Sequence, residues 1–399
     1  MIKIKLVLMG YLNYKYLSDA IEISCNEPIK IYQMNDPAAS RRVIHLINYK
    51  GGINMQYFDF RSDTSTLPTK EMIIAVTNAK LGNDGYGEDP TVNELEKKSA
   101  ILLGKEAAVL VPSGTMGNLI ALMTHCGRGQ EVILEATSHI LKNEMGGISS
   151  VAHLIPRTIE GTLGVILPEQ VEKLIRPKFE NTPKTGLVCI ENTHNQAGGT
   201  IFPLDIAKSL CEVAHEHNIP VHLDGERIFN AAVALGVDVK RITKPFDSVM
   251  FGLSKSLCCP IGSVFLGSKV FIEKARKIRH MLGGRMRQAG IIAAFGIVAL
   301  DSMIDRLSID HANAKRLAQG LSKLSYIHID LKTVQTNIVR FNIIEERIDR
   351  MELFQSLKNC AILVDYKGDS LRMVTQNDIS QEAVNKALTC FKKMENNAK

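Results

Sequence analysis

Short apolar runs that stop abruptly at polar or charged residues recur along this chain and predict its architecture. Ala107 to Val111, Gly186 to Ile190, Ile219 to Leu223 and Ser248 to Leu253 are runs of this kind, and another strand is expected to finish across Glu135 to His139. Bounded runs of this length read as buried strands of an α/β sheet. Between two of them, Ile206, Leu210 and Val213 recur at helical spacing within Pro203 to Asn218, the pattern of a helix lying on a sheet. The glycine-rich stretch from Gly82 to Pro90 leads into a predicted helix capped near Thr91, with Glu94 as its capping-box partner. Phe58 to Thr64 reads as a short strand entering a turn, whose polar residues suit an Asx or serine turn. From about Asp310 the pattern alternates helices with strands, at Thr336 to Ile343 and again at Ser370 to Thr375.

Chemistry enters where these runs end. Open α/β sheets place their ligand crevice at the carboxyl ends of the strands. The run from Ile219 stops at Asp224, and the run from Ser248 stops at Ser254-Lys255. A buried aspartate and a buried lysine are each costly without a partner. Pyridoxal phosphate satisfies both, because its aldehyde bonds the lysine and its ring nitrogen takes a carboxylate. Arg227 adds a fixed positive charge on the same side. Taken singly, Asp224 would cap a helix beginning at Gly225, and Lys255 would snorkel from a strand end. Ser113-Gly114-Thr115 joins a strand to an apolar helix, and amides at a helix start form an anion site that a glycine lets a phosphate approach.

HLDGERIFNA from His222 to Ala231, followed by LSKSLCCPIGS from Leu253 to Ser263, resembles the heart of the threonine aldolases. These are pyridoxal-phosphate enzymes of the aspartate aminotransferase fold group, and the resemblance runs from residue 57 to about residue 392. It implies the α/β fold of the PLP-dependent transferases (aminotransferase type I), with a large domain on a mostly parallel seven-stranded sheet and a small C-terminal α/β domain. The expected bounds are 1–54 for an N-terminal extension of unknown role, 55–309 for the large cofactor-binding domain and 310–399 for the small one.

By the same resemblance, Lys255 carries the covalent link to the cofactor, Asp224 holds its ring nitrogen and His139 stacks on its ring. Ser113, Gly114, Thr115 and Arg227 belong to the cofactor site, and Arg287 approaches a phosphate across a subunit boundary. Ser62, Arg227 and Arg372 hold the substrate carboxylate, a task that suits the planar fork of an arginine. Tyr86 reaches the active site of a neighbouring subunit. The implied activity is retro-aldol cleavage of L-threonine or L-allo-threonine to glycine and acetaldehyde, with Lys255, His139 and Asp224 catalytic. The base is His139 or a bound water. Another lyase or aminotransferase of the same fold type, and a catalytically impaired cofactor-binding homologue, are the alternatives. Two departures bear on them: Asn181 stands where many relatives carry a histidine, and Ser256 to Cys259 lacks two glycines usual after the lysine.

Composition narrows the classes further. A formal charge of +6 comes without any basic run or aromatic-basic interleaving, which argues against nucleic acid as a partner. The apolar stretch from Gly290 to Leu300 is too short to span a bilayer and reads as a buried helix. His215 and His217 do not share a helical face, so no metal site is expected. Eight cysteines without CxxC spacing suit a reduced, cytoplasmic compartment. Lysines interrupt any signal-peptide core near the start, and residues 1–54 read as an expendable extension, with the working domain starting at Met55. The resemblance implies a homodimer or homotetramer with shared sites.

Overall fold

The strands predicted from apolar runs assemble around one central sheet. The computed structural model describes residues 57–177, 181–345, 348–367 and 370–398, so the 1–54 extension lies outside the described residues. After a short strand β1 (Phe58–Asp59), the chain builds β2 (Ala107–Val111), β3 (Glu131–Glu135), β4 (Ile155–Ile159), β5 (Thr185–Glu191), β6 (Val221–Asp224), β7 (Ser248–Gly252) and β8 (Ser263–Gly267). These seven, β2 to β8, form a sheet in the order β2-β8-β7-β6-β5-β3-β4. Its pairings are parallel except those of β8, which runs antiparallel to both β2 and β7. Helices cover both faces of such a sheet, so β5 and β7 are buried at every position and read as continuous apolar runs.

Register decides what the strand ends bring together. Glu191 lies opposite Asp224, and Asp224 lies opposite Met250 two residues before the end of β7. The carboxyl ends of β3, β5, β6 and β7 therefore present Glu135, Glu191, Asp224 and the approach to Lys255 along one edge.

The helix Leu204–Glu216 buries Ala207, Leu210, Cys211 and Ala214, so its buried face keeps Leu210 but is turned by one residue from the expected Ile206 and Val213, which are only partly buried. The helix expected near Thr91 begins earlier, at Pro90, and its cap is Asp89. Asp89 Oδ1 accepts from the amides of Thr91 and Val92, both at 3.1 Å, and Pro90 at the first helical position has no amide to leave unsatisfied.

The later strands are β9 (Ile327–His328), β10 (Ile338–Ile343), β11 (Ile362–Leu363), β12 (Asp365–Lys367) and β13 (Ser370–Val374). Four of them form an antiparallel sheet in the order β12-β13-β10-β9, while β11 pairs in parallel with β1. Phe60 is fully buried in a second hydrophobic cluster with Leu317, Val339, Phe341, Leu371 and Phe391. The residues just after β1 are thus fixed against the C-terminal elements, which places the Ser62 turn beside the crevice.

The cysteine reading needs one correction. Cys360 and Cys390 are joined, 30 residues apart in sequence, because the end of the helix Arg350–Asn359 packs on the helix Gln381–Ala398. Sequence spacing alone does not reveal a pairing made by helix packing. The other described cysteines are free. Among the described residues, no helix is long and apolar enough to cross a membrane.

Candidate active site

Asp224 ends β6 and is almost fully buried. Its Oδ2 accepts from Asn118 Nδ2 at 2.8 Å and its Oδ1 from the amide of Glu226 at 3.2 Å. The helix after it starts at Ile228 with Arg227 at the cap position, so Asp224 is not spent on capping a helix at Gly225. Burial raises its carboxyl to about 7, with repulsion from Glu191 and the attraction of His139 as the next influences. Among the described residues, no lysine or arginine side chain is bonded to it. Glu144 and His139 lie close by, their ligating atoms and those of Asp224 all within 4.8 Å of one another. His139 is the one group of this cluster that can carry positive charge, and it is bonded to Glu144 rather than to Asp224.

Asn118 organises the cluster. Its amide donates to Glu144 Oε1 as well as to Asp224, both at 2.8 Å, while its carbonyl faces His222 Nε2 at 3.1 Å. His222 is fully buried, and burial lowers its imidazole to about 3, so it stays neutral. His139 opens a short helix after β3, with its amide donating to Glu191 Oε2 at 2.7 Å and its Nδ1 at 2.9 Å from Glu144. Burial opposes protonation of this ring, but the hydrogen bond to Glu144 and the field of Asp224 more than offset it, and its pKa is raised. An imidazole that gives Nδ1–H to a carboxylate keeps Nε2 free to exchange a proton.

The strand-to-helix turn after β2 carries Ser113 as the cap of the helix Gly114–His125, its Oγ accepting from the Met116 amide at 3.2 Å. The first amides of that helix, at Gly114 and Thr115, have no intrahelical acceptor. A methyl group on Gly114 would collide with Glu226 Oε2, and one on Gly252 would collide with Glu226 Oε1. Lys255 Nζ lies 3.4 Å from that same Oε1. The lysine amine and the helix start therefore face each other across one carboxylate. Downstream of the lysine, Cys258 adopts φ 65°, a left-handed conformation that glycine reaches without strain and a side chain reaches at a cost of about 1 kcal/mol.

Arg227 is buried and gives its Nε and Nη2 to the two oxygens of Asp63, both at 2.7 Å. Asp63 also accepts from Ser256 Oγ at 2.9 Å and Asn337 Nδ2 at 3.2 Å. Burial alone would raise the Asp63 carboxyl, but Arg227, with Lys255 and Ser256, holds it well below its ordinary value. Ser62, beside it, accepts from the amide and the hydroxyl of Thr64 and so makes the serine turn.

Arg372 stands on β13 directly opposite Arg340 on β10. Its Nη1 donates to Asn195 at 3.1 Å, and its Nη2 to the Arg61 carbonyl at 3.0 Å with Asp365 at 3.3 Å. Like charges in opposing register are unfavourable unless an anion lies between or beside them. Burial lowers the pKa of both guanidiniums, the neighbouring arginine lowers that of Arg340 further, and the Nε of each is buried without a partner.

Tyr86 and Arg287 sit apart from this cluster. Tyr86 is 73% exposed with Arg285 over its ring, Arg287 is exposed, and the two segments are tied by the Asp84 amide on the Arg287 carbonyl at 2.9 Å. Asn181 is exposed and precedes the amino end of β5, the edge of the sheet away from Asp224. Sequence reading missed Asp63, Asn118, Glu144, Glu226 and Arg340, and placed Glu191 as a polar strand end facing the crevice without giving it a role. Only Glu191 carried a usable signal, as the acid that stops an apolar run.

A mixed sheet whose strand ends gather a lysine, an anion cradle and a cation-starved acid defines the aminotransferase-type pyridoxal-phosphate enzymes. The beta-eliminating lyase family model matches residues 59–343. The probable low-specificity L-threonine aldolase 2 of Arabidopsis thaliana is 43% identical over 84% of this chain and 96% of its own length. The low specificity L-threonine aldolase of Escherichia coli K12 is 39% identical over 81% of this chain and 95% of its own. The solved structure of a Leishmania major threonine aldolase superposes with a TM-score of 0.74 at 18% identity, covering 85% of this chain and 99% of that one. The chain belongs to the beta-eliminating lyase family, in its threonine aldolase branch.

Proposed function

We propose that this protein is a pyridoxal-phosphate-dependent aldolase that cleaves L-threonine or L-allo-threonine to glycine and acetaldehyde. The observation that carries the reading is the meeting of Lys255, the amides at Gly114 and the cation-starved Asp224 at one sheet edge. These residues fit the cofactor. Lys255 would hold its aldehyde carbon, Ser113, Gly114 and Thr115 its phosphate, Asp224 its ring nitrogen, and His139 would cover the ring. When bound, the cofactor supplies an electron sink for the Cα–Cβ bonding pair.

The protein does the rest by position and charge. Arg372, with its unpartnered Nε, binds the substrate carboxylate, and Ser62 and Arg227 line the same end. Arg227 acts chiefly by fixing Asp63, and with it Ser256 next to Lys255. Asp224 would keep a proton on the ring nitrogen of bound cofactor. His139 takes the β-hydroxyl proton at Nε2 while Glu144 steadies the opposite nitrogen.

Exposed Tyr86 and Arg287 belong to a face that completes the site of a neighbouring copy in a homodimer or homotetramer. The test is the visible spectrum of the purified protein before and after L-threonine, with glycine and acetaldehyde measured. A keto acid product, or no cofactor band, overturns the reading.

A further inference from the structure

Glu226 has no part in the chemistry above, yet it occupies the centre of the cofactor cradle. Its Oε2 lies against Gly114 at the helix start, its Oε1 lies against Gly252 and 3.4 Å from Lys255 Nζ. Only glycine at these two positions leaves space for the carboxylate to lie there. A buried carboxylate oxygen ordinarily finds a donor. Glu226 Oε2 is buried with no hydrogen-bond partner, so this seat is a poor permanent home. Its charge also adds to the repulsion that raises Asp224.

We propose that Glu226 is a built-in competitor of the cofactor phosphate. Its carboxylate lies against Gly114 at the start of the helix Gly114–His125, with no amide donating to Oε2, and pairs with Lys255. Loading requires it to leave both. A phosphate dianion and a carboxylate cannot share a seat this small, because like charges at contact in a partly buried site repel strongly. The Lys255 amine must likewise give up the pair before it bonds the cofactor. The proposal rests on the cofactor site described above and adds a residue that opposes its filling.

The experiment compares the cofactor-stripped full-length protein with Glu226→Gln, Glu226→Ala and Glu226→Asp. Each is titrated with pyridoxal phosphate and, separately, with pyridoxal, by calorimetry and by the visible band of lysine-linked cofactor. The expected result is a Kd for pyridoxal phosphate lowered about tenfold or more in the Gln and Ala variants, with pyridoxal changed less than about threefold. Glu226→Asp, whose shorter side chain withdraws the carboxylate from Gly114, falls between and serves if a neutral variant does not fold. Unchanged or weaker binding of pyridoxal phosphate, or an equal gain for pyridoxal, overturns the proposal. A band that persists in Lys255→Ala would instead overturn the cofactor site itself, a separate outcome.

Discussion

Replacing Asp63 by asparagine tests how the crevice is held together. The carboxylate is fully buried and takes two bonds from Arg227, one from Ser256 and one from Asn337. Asparagine keeps the shape but leaves Arg227 as a buried charge without its counter-ion. Breaking one side of a buried pair costs about 3–5 kcal/mol. For the compact unit Gln56–Lys399, an unfolding entropy of about 2 cal/mol/K per residue converts this into a loss of about 4–7 °C in Tm. Scanning calorimetry or circular dichroism at neutral pH measures it. The folded pKa of Asp63 lies below its ordinary 3.8, so its contribution is complete above that pH and is lost as pH falls further. The gap between wild type and variant therefore holds from neutral pH to about 4 and narrows below it. Removing both charges, as Asp63→Leu with Arg227→Met, recovers most of the loss, since a buried pair exchanged for packed apolar groups is often near neutral. A Tm for Asp63→Asn within about 1 °C of wild type would refute the idea that this pair fixes the crevice.

Lys255→Ala loses the covalent cofactor band and aldehyde release together, which absorbance and an acetaldehyde assay read in one sample. Asp224 has a raised carboxyl pKa, so the folded cofactor-free chain holds a proton there that the unfolded chain gives up, and this group's contribution to stability falls as pH rises from 3.8 to about 7. Bound cofactor with a protonated ring nitrogen cancels that loss, so the cofactor-induced rise in Tm grows with pH across the same window. Asp224→Asn flattens the dependence, and an unaltered profile in that variant would contradict the assignment. Arg372→Lys keeps the charge but loses the planar fork, and steady-state kinetics should show KM for the amino acid raised about tenfold or more.

What was legible in the sequence follows from burial. A strand covered on both faces leaves a continuous apolar run, so its end is visible wherever a charge interrupts it, which is how Asp224 and Lys255 could be found. Asp63 was hidden because its partner Arg227 is 164 residues away and its own neighbourhood reads as a polar turn. Arg340 gains meaning only from strand register, which sets it opposite Arg372. Glu226 looks like any charge beside a motif until folding drives it against Gly114. Seen together, these residues divide the crevice by sign. Glu144, Glu191, Asp224 and Glu226 gather acids at one end, whereas at the other Asp63 pairs with Arg227 and Asp365 with Arg372, beside Arg340. Under the proposed function, such an arrangement would set a cationic ring at the acidic end and a carboxylate at the arginine end, orienting both cofactor and substrate. It also explains why a fourth carboxylate, at Glu226, carries a penalty that its removal should reveal.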